Sequence, residues 1–430
     1  MTASAVRNEV VGGLTTFLTM AYIVIVNPAV LAETGMDFGS VMTATCLAAA
    51  LATATMGLVA SYPIAMAPAM GENFFFVAVA VSMGHGWRVA LGAVFLSGVA
   101  FFAMTALGVR ERIVDALPAS LRHAIAVGIG LFVALLGLTA AGIVEKPPGG
   151  GILHLGDLTR APTLIACGGV LVTVALLARG VPGALLFGIG LATVVAWSLG
   201  LVRWQGVFER PPSLAPTFLQ LDVVGALQPR ALPAVLIFLF MAVFDAIGTL
   251  VAIGEQGGFF RNGKLPRARR ALLADSAGTV VGACLGTATV TAYIESATGV
   301  AAGARTGLAN LVTAAGFLVA LFCAPLVRMI GGGVPVAGGA VLQPLTAPAL
   351  IVVGGLMARN VAHIEWDDPT EAFPAFLVMI GIPFTWSIAD GIAFGFIARP
   401  LLKLLAGRPR EASPVAYALG ALFVLRYALL

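Results

Sequence analysis

Charge is what this chain has least of: Asp, Glu, Lys and Arg together supply 10% of its 430 residues, where an ordinary soluble domain carries about 25%. So few charges exclude a solvated surface of normal size. Cysteine is scarce as well, with Cys46, Cys167, Cys284 and Cys323 each alone in an apolar run. Without a CxxC pair this favours inert packing over a disulfide framework or a zinc site. The four histidines show no metal-ligand spacing, and neither a Walker loop nor a dinucleotide fingerprint is present. No metal, no cofactor and no ATP-driven transport by this chain alone are therefore expected.

What is present is apolar. Hydrophobic residues make up 60% and the mean hydropathy is +1.01, as in a polytopic membrane protein. A bilayer core takes about 20 apolar residues per helix, so the length allows roughly a dozen or more spans and no sizeable soluble domain. Apolar windows fall near 13–32, 41–60, 63–83, 87–109, 124–143, 161–178 and 181–202, then near 231–254, 271–286, 287–303, 307–329, 345–362, 371–387 and 389–405. These predict an all-α protein of fourteen spans, with an apolar tail at 415–429 that is either interfacial or a further crossing. The first run lacks a small-residue cleavage site and is expected to be a retained helix.

Cations orient the chain, because positive loops stay cytoplasmic. With the amino terminus inside and the tail not crossing, 17 of the 24 Lys and Arg residues fall on the inner side, which predicts a multi-pass protein of the cell (inner) membrane with a cytoplasmic amino terminus. The run RNGKLPRARR at 261–270 then reads as a cytoplasmic loop and topology signal, with no nucleic-acid partner. FLTMA at 17–21 returns as FLFMA at 238–242, an offset of 221 residues. Seven spans repeat once, and because seven is odd the second copy enters from the opposite side, as in inverted-repeat carriers.

Two spans are broken. In YPIAMAPAMGENFFFVAVAV, Pro63 and Pro68 bar a continuous helix, so an extended piece is expected to run into a helix beginning near Gly71. In TATVTAYIE, Thr287, Thr289, Thr291, Tyr293 and Glu295 occupy every second position, the period of a strand. The offset places Gly71, Glu72 and Asn73 on Ala292, Tyr293 and Ile294. Irregular backbone at membrane depth must be buried in protein or line a cavity. Two such strands, one per copy, are expected to pair antiparallel, with half-helix amino termini facing a cavity.

An ionisable side chain at mid-span costs about 2.5 to 3.5 kcal/mol on insertion scales. Four need explaining: Asp245 in FMAVFDAIGTL with Thr249 one turn on, Glu295, Glu72, and Asp390 in WSIADGIAFG. Asp275 reads as a helix-end residue. No Lys or Arg lies at the depth of Asp245 or Glu295, so desolvation disfavours their charged forms and at least one is expected to hold a proton near neutral pH. That suits a cation-coupled carrier. An ionised carboxylate accepts a ligand N–H, and Asn73 both donates and accepts. Phe74, Phe75, Phe76 and Phe244 offer rings to a planar ligand, although a Phe triplet more often packs. A planar heterocycle suits this set better than an inorganic ion.

The stretches TTFLTMAYIVIVNP, PIAMAPAMGENFFF, FDAIGTLV, TATVTAYIESATGVAAGARTGL and SIADGIAFGF resemble the purine-permease branch of the nucleobase:cation symporter-2 family, from about residue 7 to 429. The resemblance implies fourteen spans as a 7+7 inverted repeat. A core domain (1–123 and 231–330) would move against a gate domain (124–230 and 331–430) while importing hypoxanthine, guanine or adenine with a proton. By motif it implies Asn73, Asp245 and Glu295 at the base and Asp390 in the gate region; Gly71, Phe74 and Phe244 join the expected binding set from the helix start and the rings, and Asp245 and Glu295 are the acids expected to couple the proton. A homodimer in the lipid is an expectation by the same analogy. Glu72 departs from the branch, which usually has an apolar residue there; it could alter substrate choice, change proton coupling, or point away as a cap. Uracil or xanthine as substrate, or an anion or dicarboxylate in a related seven-plus-seven carrier, are the alternatives; two acids without a buried cation make an anion site electrostatically poor. An intramembrane hydrolase would need Asp245 and Glu295 as a dyad, and neither lies in a recognised water-splitting motif.

Overall fold

The structure is a computed structural model describing residues 3–108, 119–145, 153–261, 265–336, 341–385 and 388–429. Helices dominate because long apolar stretches satisfy their backbone internally, the condition for crossing lipid. In chain order they are α1 (Ala3–Met20), α2 (Ile23–Ala32), α3 (Phe38–Thr55), α4 (Met70–Val77), α5 (Trp87–Leu107), α6 (Ala119–Ala140), α7 (Ala161–Ala178), α8 (Ala184–Ser198) and α9 (Val223–Ala226). There follow α10 (Leu232–Gln256), α11 (Ala268–Leu285), α12 (Ser296–Ala301), α13 (Gly307–Ala320), α14 (Ala324–Gly331), α15 (Ala347–Ala358), α16 (Pro369–Thr385), α17 (Ile388–Leu405) and α18 (Pro414–Leu429). Strands β1 (Met66–Pro68) and β4 (Val290–Ala292) pair with each other, as do β2 (Val144–Glu145) with β3 (His154–Leu155), and β5 (Val334–Pro335) with β6 (Val341–Leu342).

Among the described residues, seven helical stretches are long and apolar enough to cross a membrane: Ser4–Ala32, Phe38–Ala60, Trp87–Leu107, Ser120–Ala140, Ala161–Ala178, Leu232–Leu250 and Gly307–Gly331. Shorter apolar helices occupy Met70–Ser82, Ala184–Ser198, Pro369–Thr385 and Ala416–Leu425. The tail at 415–429 is thus helical. Leu58, Leu171 and Phe384 are exposed on these helices, as lipid-facing side chains are and as those of a water-facing surface rarely are in such number.

The chain divides into two compact units, one of Met1–Ala106 with Thr139–Ala349 and the other of Leu107–Leu138 with Leu350–Leu430. Segments 124–230 and 331–430 are shared between them, with α7 and α8 in the first unit. Within that unit, backbones meet where side chains are smallest. A Cβ on Gly307 would collide with the Gly57 carbonyl, and one on Gly57 would lie 2.6 Å from the Gly307 oxygen. Two glycines therefore let the end of α3's helical run touch α13 directly. The second unit holds a buried ion cluster. Arg399 in α17 donates through Nε (2.7 Å) and Nη2 (2.6 Å) to the two oxygens of Glu371 in α16, and Lys403 bonds Asp368 (3.1 Å) and Glu411 (2.9 Å).

Candidate functional site

The site is built on the paired interruptions. After α3 the helix widens into a π-type run at Met56–Ala60 and stops at Ser61, whose φ of 52° turns the chain back. The prolines then hold the chain extended through β1. β1 and β4 pair antiparallel, with Met66 opposite Ala292, Ala67 opposite Thr291 and Pro68 opposite Val290. Buried backbone beyond so short a ladder needs partners, and hydroxyl and amide side chains supply them. Thr53 accepts from the Met66 amide and donates to its carbonyl, both at 2.9 Å. The Ala65 amide donates to Ser296 Oγ (2.9 Å), and Asn310 Nδ2 donates to the carbonyls of Ile64 (2.8 Å) and Thr53 (3.1 Å). Opposite, Thr279 donates to the Val290 carbonyl (2.8 Å), and the Ala292 amide donates to Asp275 Oδ2 (2.9 Å).

The alternation in TATVTAYIE has a physical purpose, although only Val290–Ala292 is regular strand rather than the whole of 287–295. Four of the five alternate side chains bond to neighbouring segments. Thr287 accepts from Asn27 in α2 (2.9 Å), Thr291 donates to Asp275 in α11 (3.2 Å), Tyr293 donates to the Pro68 carbonyl, and Glu295 accepts from Tyr22 (3.0 Å). Beyond the ladder the Tyr293 amide still donates to the Ala65 carbonyl (3.0 Å) and the Ala69 amide to the Thr289 carbonyl (2.8 Å), while the outward carbonyl of Val290 and amide of Ala292 go to α11. The expected offset also slips: β4 starts 224 residues after β1, not 221, and α12 starts 226 after α4. The second copy has a longer turn, at Tyr293–Glu295, before its helix.

The expected residues separate into three groups. Gly71, Glu72, Asn73 and Phe74 lie buried in the first turns of α4, which begins at Met70, one residue before the predicted start, with no side-chain cap. Its first N–H groups are left for a ligand or water. Asn73 Oδ1 is buried without a hydrogen-bond partner among the described residues, and its amide nitrogen meets only Met70 Sδ at 3.9 Å. Asp245 and Thr249 lie in α10. Asp245 is exposed on α10 and so faces open space. Phe244 is in the same helix, and its side chain lies outside the described residues. Glu295 precedes α12 and is half-buried. Phe75 packs edge-on against Phe238 with ring centroids 4.6 Å apart, and Phe76 is buried; neither is free to stack on a ligand. Asp390 sits in the second unit, where it accepts from Tyr427 at 2.6 Å.

Asp275 corrects the sequence reading. It is in the interior of α11, fully buried, and holds β4 through Thr291 and Ala292, where a helix-end residue was expected. The sequence hint was its spacing: Asp275, Thr279 and Gly282 follow one another at about one turn, and each meets β4. Tyr22 was missed because one tyrosine in an apolar helix resembles packing.

A model of the Permease family matches residues 7–394. The chain is a member of that family. It is 44% identical over 434 residues to the guanine/hypoxanthine permease PbuG of Bacillus subtilis, covering 98% of this chain and 96% of the relative. It is 39% identical over 422 residues to the adenine permease AdeP of Escherichia coli, covering 98% and 92%. These matches agree with the family resemblance read from the sequence, and they make the protein a transporter and not an enzyme. Among solved structures, the transmembrane domain of the cyanobacterial bicarbonate transporter BicA aligns with a TM-score of 0.63 at 17% identity, over 92% of this chain and 98% of that one. The murine anion transporter Slc26a9, inward-facing, aligns at 0.64 and 10% identity, over 95% and 69%. This permease therefore shares its fold with carriers of seven-plus-seven architecture.

Proposed function

We propose that this permease imports purine nucleobases together with protons. One observation supports the reading: next to the antiparallel β1–β4 pair lie an uncapped helix start and the unpartnered Asn73 carbonyl, in the same compact unit as the acids Asp245 and Glu295. An acid-rich, cation-free site suits a neutral heterocycle whose N–H groups donate to carboxylates, with Asn73 answering a ring carbonyl or nitrogen. The names of the relatives, guanine/hypoxanthine and adenine permeases, support purines over uracil or xanthine. In this reading the proton neutralises Asp245 or Glu295 during the crossing. A core of spans 1–4 and 8–11, in a fourteen-span chain, moves against a gate of spans 5–7 and 12–14.

The fold likeness to bicarbonate and anion carriers raises an anion as the second reading. Electrostatics opposes it, since the acids would repel the cargo and no salt bridge to Arg or Lys accompanies them among the described residues. The test is uptake of radiolabelled hypoxanthine, guanine and adenine into cells lacking their own carriers, with bicarbonate and uracil alongside. Saturable purine uptake that collapses when the proton gradient is discharged supports the proposal; well-expressed protein without purine uptake overturns it.

A further inference from the structure

The purine reading leaves the groove between α7 and α8 unused. Both helices belong to the same compact unit. The groove has a volume of about 310 Å³, within the range of ligand pockets, and every residue lining it is Gly, Ala, Val, Leu or Ile. On α7 the lining runs from Ala161 to Val172, about 16 Å of helix; on α8 it runs from Gly188 to Leu199. The groove therefore opens at one end of the pair, where α7 begins and α8 stops.

Glycines shape it. A Cβ on Gly188 would collide with Thr173 Oγ1 and one on Gly169 would lie 2.8 Å from Pro348, so both let neighbouring segments pack closely. Gly168 is different. A Cβ there meets nothing within 4 Å, and the space a side chain would fill stays open. Leu164, Leu191 and Leu199 line the same space and are exposed. Both helices are apolar and α7 is long enough to cross a membrane, so this exposed wall faces hydrocarbon. An unfilled groove forfeits the dispersion contacts of its lining. In lipid, where apolar surfaces gain nothing by leaving the solvent, such contacts decide what packs where. A chain of methylenes fits so narrow a space. A helix is about 10 Å across, as wide as the usual spacing of the two helices framing the groove, and would rest on the rim.

The mouth adds charge. Trp197 and Trp204 are exposed, with ring centroids 6.2 Å apart, as aromatics are where headgroups begin. Their contact keeps Arg203 near the end of α8, and Leu199 at that end lines the groove. Arg203 is exposed and makes no hydrogen bond or ion pair among the described residues. Arg160, just before α7, is instead taken by Glu145 (2.5 Å) and Asp157 (3.5 Å).

We propose that this groove is a site for an anionic phospholipid, with one acyl chain lying along α7 and α8 and the phosphate at Arg203. The site requires neither a nucleobase nor a proton gradient, so it stands or falls apart from the transport proposal.

The test is native mass spectrometry of the full chain in detergent, titrated with phosphatidylglycerol or with phosphatidylcholine of the same acyl chains. The parent should retain one phosphatidylglycerol per chain, about fivefold more tightly than phosphatidylcholine, the worth of one cation near an anionic surface. Gly168→Leu fills the open space and suits a helix better than glycine does. It should lose retention of both lipids while its melting temperature in detergent stays at the parent's or above. Arg203→Gln should keep one lipid and lose the preference. A parent that retains no lipid, a Gly168→Leu that retains it as the parent does, or an Arg203→Gln with the preference intact overturns the proposal. A dimer in gel filtration that Gly168→Leu splits, with lipid retention unchanged, would give the groove to a second copy and overturns it as well. Because Arg203 is exposed, its arm decides the matter even if Gly168→Leu fails to fold.

Discussion

Asp275 and Tyr22 show how far a side chain's neighbours decide its meaning. Both are buried and both serve the irregular segment after α11: Asp275 receives the Ala292 amide and Tyr22 donates to Glu295. Tyr22→Phe removes one donor to a carboxyl, an interaction of about 1.5 kcal/mol. It should weaken purine binding about tenfold while leaving expression unchanged, as measured by the apparent Kd in proteoliposomes. Glu295→Gln, which keeps the shape and removes the charge, should abolish uptake, with folding checked by gel filtration. The candidate acids Asp245 and Glu295 were legible because a carboxylate at mid-span stands out against apolar neighbours. Asp275 was not, because its distance from the start of the ninth span says nothing of the strand packed against it.

At the scale of elements, side chains take over the work of a longer sheet. Thr53 alone serves both the amide and the carbonyl of Met66. Thr53→Val should therefore strand two buried backbone groups, at about 1 to 3 kcal/mol each, and lower the melting temperature in detergent more than Thr55→Val, whose hydroxyl bonds only Leu51 in its own helix (2.8 Å). Gly307→Val should prevent assembly altogether, since a side chain there meets the Gly57 backbone; absence of a monodisperse peak in gel filtration is the readout. The broken spans were readable from Pro63, Pro68 and the hydroxyl alternation, because both are local signals. The length of β4 and the slip from 221 to 224 residues were not, since they depend on how the strand is shared between β1 and α11 in the folded chain.

For the whole molecule, hydropathy found the long helices and missed what charge does inside them. The Glu371–Arg399 pair lies in two stretches read simply as spans, and both side chains are almost fully buried, at 7% and 8% exposure. Breaking it with Arg399→Leu should cost about 3 to 5 kcal/mol, whereas replacing both partners by leucine should restore most of that stability; detergent melting curves would show both. Beside it, the Asp368 carboxyl is held well below the usual carboxylate range, first by the hydroxyl and amide of Thr370 and then by Lys403 and Arg408. Its unfolded value is near 3.9, so its contribution is complete above about pH 4 to 5 and fades as the solution is acidified below that. A melting temperature that falls below pH 4, and falls less in Asp368→Asn, is the expected result.

The Tyr293 phenol rests on the Pro68 carbonyl, and the Ala65 amide on Ser296. Each half of the chain thus holds the other's interruption in a reciprocal clasp. Neither broken span can slide without dragging its counterpart, so the two interruptions are yoked into one rigid piece.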